Sequence, residues 1–151
     1  DTADDDDAAD DDDTADDDDS ADDDDSAASN DCATRTGGAM IDLLVHHTGA
    51  EAITFWMTET DFIDDALLRV GQGANQMAYF NTLLFGGDCD AQWSFRPDPG
   101  EGFWMTSPPF SNHCDVALAT VEADVINFTS TGADFCPLNV EVVAVDDRRS
   151  P

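Results

Sequence analysis

A six-residue unit repeats four times at the start of the chain, in residues 2–7, 8–13, 14–19 and 20–25, and 17 of the first 25 residues are Asp. No basic and no large apolar side chain occurs among them. Such a segment has nothing to bury and cannot offset the entropy of ordering. Asp is also among the poorer helix formers. We therefore predict that residues 1–31, the acidic segment, form a disordered tether and that the folded domain begins at Cys32.

Charge limits the partners of this chain. Its formal net charge is −30, and it contains five Arg and no Lys. Residues 1–31 hold 18 acids and no base, which leaves 17 acids for the remainder. This charge repels phosphate backbones and anionic lipid headgroups, so it argues against nucleic-acid and membrane-surface binding. Apolar runs are also too short for membrane insertion. Cationic proteins, divalent metals and neutral glycans remain compatible partners.

The acidic segment is best interpreted as a spacer. Its charges lie within one Debye length of about 8 Å, so they repel one another and extend the chain. Fully extended, 25 residues would span about 80 Å. A repeat of Asp without Gly turns lacks the shaped cage of a tight calcium site. The segment resembles the linker that follows the lipid-bearing Cys of bacterial lipoproteins, which implies a lipid anchor upstream of Asp1 and a location outside the cell or in a bacterial cell envelope.

Four cysteines lie outside the tether, at Cys32, Cys89, Cys114 and Cys136. None forms a C-x-x-C pair, which disfavours a zinc knuckle or a thioredoxin-like motif. An even number in a small acidic domain indicates two disulfides and an oxidising compartment. Of the three connectivities we favour Cys32–Cys89 with Cys114–Cys136, because the second pair closes a short local loop. Four free thiols in a cytosolic protein are the alternative.

Residues 32–147 are predicted to form one α+β domain, with residues 148–151 frayed. Its expected elements are a hairpin (39–45 and 52–57), a helix (60–71) capped by Thr60 or Asp61, strands at 77–85, 92–96 and 103–105, a second helix (120–128) and a final strand (138–145), with fraying from Asp146 onward. Two helices among five or six short strands predict a small, mostly antiparallel sheet. We expect a monomer.

A resemblance emerges from three motifs taken together. Residues 93–99 read W-S-F-R-P-D-P, Cys114-Asp115 follows, and Cys136-Pro137 comes later. The pattern resembles a small secreted α+β domain family of bacterial and slime-mould proteins, in which W-S-[WF]-x-x-D-P precedes a C-D and then a C-P step. The resemblance covers about residues 50–145, implies secretion and supports the Cys114–Cys136 pairing. Leu138 departs from the Trp expected there. No established activity or catalytic residue accompanies the family.

Catalytic patterns are weak in this chain. G-x-S-x-G is absent, and His46, His47 and His113 are better interpreted as solvated polar residues than as metal ligands. The sharpest metal hypothesis is calcium, at two acidic loops that contain glycine. The residues concerned are Asp88 and Asp90 in the first loop, and Asp98 and Glu101 in the second. Oxygen ligands suit calcium, but the spacing does not match an EF-hand.

Aromatic side chains offer another route to binding. Trp104 lies next to an irregular Pro-rich segment that ends at Phe110, where an aromatic ring could stay exposed. Trp104 and Phe110 are thus a candidate ligand platform, with core packing as the alternative for Trp104. The sequence predicts a non-enzymatic secreted or surface-tethered module that binds an unknown protein or glycan. A calcium-binding domain and a small carboxylate-dependent hydrolase are the alternatives.

Overall fold

The computed structural model describes residues 31–111 and 113–150. The predicted disorder of the acidic segment therefore falls, apart from Asp31, outside the described residues. In chain order the described elements are β1 (Ala39–His46), β2 (Ala50–Met57), α1 (Thr60–Arg69), β3 (Met77–Tyr79), β4 (Leu83–Phe85), β5 (Phe95–Pro97), β6 (Phe103–Met105), α2 (Leu118–Ala123), α3 (Val125–Ser130) and β7 (Val140–Asp147), preceded by a 3-10 turn at Asp31–Ala33. The α+β class is as predicted.

The main sheet has three antiparallel strands in the order β2-β1-β7. The predicted hairpin is confirmed as β1 and β2, paired from Ala39 opposite Met57 to His46 opposite Ala50. Strict alternation along β1 buries Ile41, Leu43 and Val45 on one face of this sheet. That periodicity of two is what the apolar pattern of the strand dictates.

Helix α1 follows the hairpin directly and packs against the core. Phe62, Ile63 and Ala66 are buried, as their helical spacing predicts, whereas Leu67 and Val70, which that spacing places on the same face, are 41% and 44% exposed. The N-cap is Glu59, whose carboxylate accepts a hydrogen bond from the Asp61 N–H. The predicted cap at Thr60 or Asp61 is therefore one or two residues too late.

Strand pairing differs from the single sheet that was expected, because the seven described strands form three sheets. The predicted strand 77–85 divides into β3, which pairs with β6, and β4, which pairs with β5. Between them Phe80 bridges to Phe135, and the Thr82 carbonyl accepts from the Asp98 N–H. The chain thus changes partner within one apolar run.

The predicted second helix is two short helices, so the described part of the chain has three α-helices instead of two. Helix α2 ends and α3 begins at Asp124, whose φ of −136° and ψ of 41° lie outside the helical region. Asp is a poor helix former, and the β-branched Val125 and Ile126 that follow it are weak ones as well. These three residues give the break a local physical cause.

The end of the chain is ordered further than predicted. Strand β7 continues to Asp147, and the Arg148 N–H donates to the Gly38 carbonyl. The Arg148 side chain also donates to the Cys32 carbonyl, which joins the two ends of the domain. The expectation that residues fray from Asp146 onward is wrong for this stretch, since backbone pairing holds it. Pro151 lies outside the described residues.

Aromatic rings fill the centre of the fold. Phe55, Phe62, Phe80 and Phe135 are each at most 2% exposed. Phe80 contacts Phe55 at 5.6 Å and Phe135 at 6.0 Å between ring centroids. Their edge-on and stacked arrangements are those that aromatic quadrupoles favour. This cluster connects the main sheet to the smaller ribbons.

Both disulfides have the favoured connectivity. Cys32 is bonded to Cys89, and Cys114 is bonded to Cys136, across sequence separations of 57 and 22 residues. The described residues contain no free cysteine. The first bond fixes the start of the domain to the loop before β5, and the second fixes the segment before α2 to the chain beside Phe135.

Candidate binding face

Strands β3 and β6 form a two-stranded ribbon whose two faces differ in their surroundings. Met77 pairs with Met105, Ala78 with Trp104, and Tyr79 with Phe103. Because side chains alternate along a strand, the middle pair points one way and the two outer pairs point the other. Ala78 and Trp104 are buried, whereas Phe103 is 50% exposed. We call the outward set of Met77, Tyr79, Phe103 and Met105 the ribbon face.

Trp104 fixes this ribbon to the core. Its indole N–H donates to the Phe62 carbonyl at 3.1 Å, and its ring stacks on Phe62 with centroids 4.8 Å apart. The Arg69 guanidinium lies over the Trp104 ring at 4.8 Å. Gly102 lets the backbone just before β6 pass close to the Phe62 and Phe80 rings. Its φ is +155°, and a Cβ at this position would lie 3.3 Å from both rings. The ribbon is therefore held from its inner side.

The predicted platform at Trp104 needs correction, because that side chain is only 8% exposed. Its surface is used by the core and by the cation above it. Phe110, the other predicted platform residue, is fully exposed in the loop after β6. A shallow groove of about 520 Å³ follows residues 103–110 and connects Phe110 to the exposed ring of Phe103.

Tyr79 and Phe103 form the flat centre of the ribbon face. Their rings stack with centroids 4.9 Å apart and an interplanar angle of 22°. Hydrogen bonding to the Asp134 carboxylate, aided by burial and by the negative charge, raises the pKa of Tyr79 to about 12. The antiparallel bridge between Phe80 and Phe135 makes Asp134 the diagonal neighbour of Tyr79, so a carboxylate lies at the edge of the stacked pair.

The four candidate calcium ligands each have a protein donor. Asp88 forms an ion pair with Arg35 at 2.9 Å. Asp90 accepts from the Thr54 and Gln92 N–H groups at 3.1 and 2.9 Å. These two carboxylates fasten the loop before β5 to the rest of the domain.

The second loop is built in the same way. Asp98 accepts from the Gly100 N–H at 2.9 Å, and Glu101 accepts from the Thr82 hydroxyl at 2.7 Å. Within the described chain, the one group of three potential ligands that converge within 4.8 Å is Cys32, Asp88 and Cys89. Its two sulfurs are already bonded to each other. The structure does not bring the four predicted carboxylates together as one such group, and calcium binding remains a prediction.

The W-S-F-R-P-D-P motif has a structural explanation at several of its positions. The Trp93 indole donates to the Ala52 carbonyl at 2.8 Å. Ser94 donates to Glu122 from both its N–H and its hydroxyl, at 2.9 and 2.7 Å. Arg96 donates to the carbonyls of Phe85 and Gly86.

The last residues of the motif join β5 to the start of α1. The Pro99 carbonyl accepts from the N–H groups of Thr58 and Glu59 and from the Thr58 hydroxyl. Together with the contacts of Trp93, Ser94 and Arg96, these bonds connect the motif to β2, α1, α2 and β4. The motif therefore supports tertiary structure.

Histidine chemistry is limited to local contacts. His113 lies 2.8 Å from the Ser111 hydroxyl through its Nδ1, within an exposed loop. His46 lies 3.4 Å from Glu141. A serine–histidine pair needs an orienting third group and a positioned oxyanion site to act as a nucleophile, and the hydrogen bonds described for Ser111 and His113 include neither.

Sequence reasoning missed most of the ribbon face. Met77, Tyr79, Met105 and Asp134 were not singled out, and Phe103 was assigned only to a strand. One signal was available. Residues 103–105 are apolar at all three positions of a short strand, so at least one apolar side chain must lie on each face. What the sequence could not show was the pairing of this strand with β3.

No protein-family model, no curated protein and no solved structure matches this chain. Inference about its function therefore rests on the geometry described above. Among the described residues, no helix has the length and apolar character needed to cross a bilayer.

Proposed function

We propose that this protein is a non-enzymatic binding module and that the ribbon face is its contact surface. The observation that carries the proposal is the outward set of Met77, Tyr79, Phe103 and Met105 on a ribbon whose inner side is fixed by Trp104. Contiguous apolar surface rimmed by polar groups typically marks a site of interaction. Tyr, Phe and Met are also enriched where proteins bind partners.

Rigidity supports this assignment. The ribbon is pinned by the Trp104 hydrogen bond, and the Tyr79 ring is held by its stack on Phe103 and by Asp134. A surface already fixed in its binding conformation loses less entropy when it binds. Phe110, in the adjoining groove, extends the surface with a ring that can adapt to the partner.

We also propose that the module acts outside the cell or in a bacterial cell envelope, carried by the acidic segment as a spacer. Two disulfides support this, because such bonds persist in oxidising compartments. The proposed relationship to the small secreted family rests on the W-S-F-R-P-D-P, C-D and C-P motifs. Alkylation of protein purified without reductant tests the compartment, since four labelled thiols would contradict it.

The contact surface is tested with the labelled full-length protein on an array of neutral glycans and basic extracellular proteins. We expect at least one ligand whose capture is lost in Phe103→Ser and retained in Phe85→Ser. Phe85 is a matched control because it is 60% exposed and lies on the other two-stranded ribbon. Ligands captured equally by both variants and by the native protein would contradict the assignment.

A further inference from the structure

The fold repeats one arrangement, an arginine lying over an aromatic ring while a carboxylate holds its charge. Arg35 lies 5.5 Å from the centroid of the Trp56 ring and 2.9 Å from Asp88. Arg69 lies 4.8 Å from the Trp104 centroid and 3.5 Å from Asp65. In both, the ring quadrupole and the carboxylate attract the same cation. These are the two cation–π contacts of the described residues.

The ribbon face has the aromatic and anionic parts of that arrangement. The stacked rings of Tyr79 and Phe103 present a flat apolar surface, and the Phe80–Phe135 bridge places Asp134 diagonally across from Tyr79. A carboxylate has about four lone-pair sites, so one hydrogen bond from Tyr79 leaves Asp134 able to accept another donor. No arginine of the described chain lies over these rings.

The charge of the chain selects the partner. Residues 32–150 carry 17 acids and five Arg, and the acidic segment adds 18 acids. A second copy of this chain is therefore repelled, as is any polyanion. A basic partner is attracted, and its lysine or arginine stems can cover the Met77 and Met105 side chains while their charged ends remain near Asp134.

We infer that the ribbon face, with the Asp134 carboxylate at its edge, binds a lysine or arginine side chain of a basic partner protein. This inference rests on the proposed function and specifies its ligand. The acidic segment contributes by speeding encounter, because a field of one sign raises the local concentration of an oppositely charged partner. The lifetime of the complex depends on contacts with the ribbon face.

The test uses the full chain and a defined probe, a nine-residue peptide with three Gly-Ser-Arg units, and a matched peptide with citrulline in place of each arginine. Binding is followed by NMR through the methionine methyl and aromatic signals. Titration at 0.5 M NaCl, where the Debye length is about 4 Å, suppresses non-specific attraction to the acidic segment. Citrulline keeps the shape of arginine and removes its charge.

Two variants and two controls complete the design. Phe103→Ser removes the exposed ring and Asp134→Asn removes the carboxylate. Phe85→Ser and Asp124→Asn make the same chemical changes at exposed positions outside the ribbon face. We expect the first two, and the citrulline peptide, to weaken binding about threefold or more, in line with exposed cation–π and ion-pair contributions. The controls should bind like the native protein.

The other outcomes separate this inference from the proposed function. If Phe103→Ser weakens binding while Asp134→Asn and citrulline do not, recognition of a cation is overturned and the ribbon face stands as a contact surface. If all four variants bind the arginine peptide equally, the acidic residues elsewhere hold it, and both proposals are overturned. Absence of ribbon-face shifts with the native protein at millimolar peptide overturns the inference as well.

Discussion

Replacing Glu122 by Gln should destabilise the domain by about 2 kcal/mol, because the carboxylate accepts two hydrogen bonds from Ser94. A hydrogen bond to a charged group contributes about 1.5–3 kcal/mol net. The Gln side chain keeps an oxygen that accepts from the Ser94 N–H and has an NH₂ group that can donate to the Ser94 hydroxyl. The loss therefore comes from the charge that strengthened both bonds, about 1 kcal/mol for each. Ser94→Ala removes the hydroxyl bond alone and should cost about 1.5 kcal/mol, the lower end of that range.

Thermal unfolding followed by circular dichroism measures both changes, and for a domain of this size 1 kcal/mol corresponds to about 4 °C in Tm. Asp124→Asn is the matched control, since it removes the same charge from an exposed residue that makes no side-chain cap bond. The double variant should lose less than the sum of its parts, because Ser94 and Glu122 share an interaction. Equal Tm values for Glu122→Gln and Asp124→Asn, or strict additivity in the double variant, would refute the reasoning.

Three further results are expected. Serine at both Cys114 and Cys136 should cost about 3.4 kcal/mol by the loop-entropy relation for a separation of 22 residues, measured by urea unfolding; a loss below 1 kcal/mol would contradict it. Tyr79 should titrate near pH 12 by ultraviolet absorbance, and Asp134→Asn should move its pKa back toward 10.0. Since the folded pKa is the higher one, stability from this group is complete below pH 10 and falls as the pH rises toward 12. Phe80→Ala should cost about 3–5 kcal/mol in the same urea assay, and a loss under 1 kcal/mol would mean that the ring cluster closes over the gap.

Local patterns predicted much of the fold. The hairpin, α1 and the final strand follow from alternation in β1, from the 3.6-residue stripe at Phe62, Ile63 and Ala66, and from the apolar run before Asp146. The even number of cysteines predicted two disulfides, and the short loop between Cys114 and Cys136 favoured the connectivity that is observed. The hairpin, α1 and the final strand depend on neighbours in sequence, where backbone periodicity and side-chain type decide the outcome.

Features that depend on distant partners could not be predicted. One apolar run became β3 and β4 because its halves pair with different strands, and neither half carries a local sign of that choice. The same limit applies to the candidate site. Phe103 and Tyr79 meet only through the β3–β6 pairing, and Asp134 reaches them from 55 residues beyond Tyr79 in the sequence. The acidic loops were predicted as metal ligands because their composition can be seen in the sequence, whereas the hydrogen bonds that their carboxylates form can be seen only in the structure.

The position of the first disulfide has a mechanical consequence. A pulling force applied through the residues before Cys32 enters the domain at a covalent bond to Cys89, so strands β1 to β4 and helix α1 lie within a closed loop that this force cannot extend. At about 3.3 Å per residue, the 57 residues of that loop would add roughly 190 Å to the length of the stretched chain if the bond were reduced. These elements therefore cannot be drawn out from that end while the bond remains oxidised, whereas β7, the third strand of the main sheet, lies outside the loop.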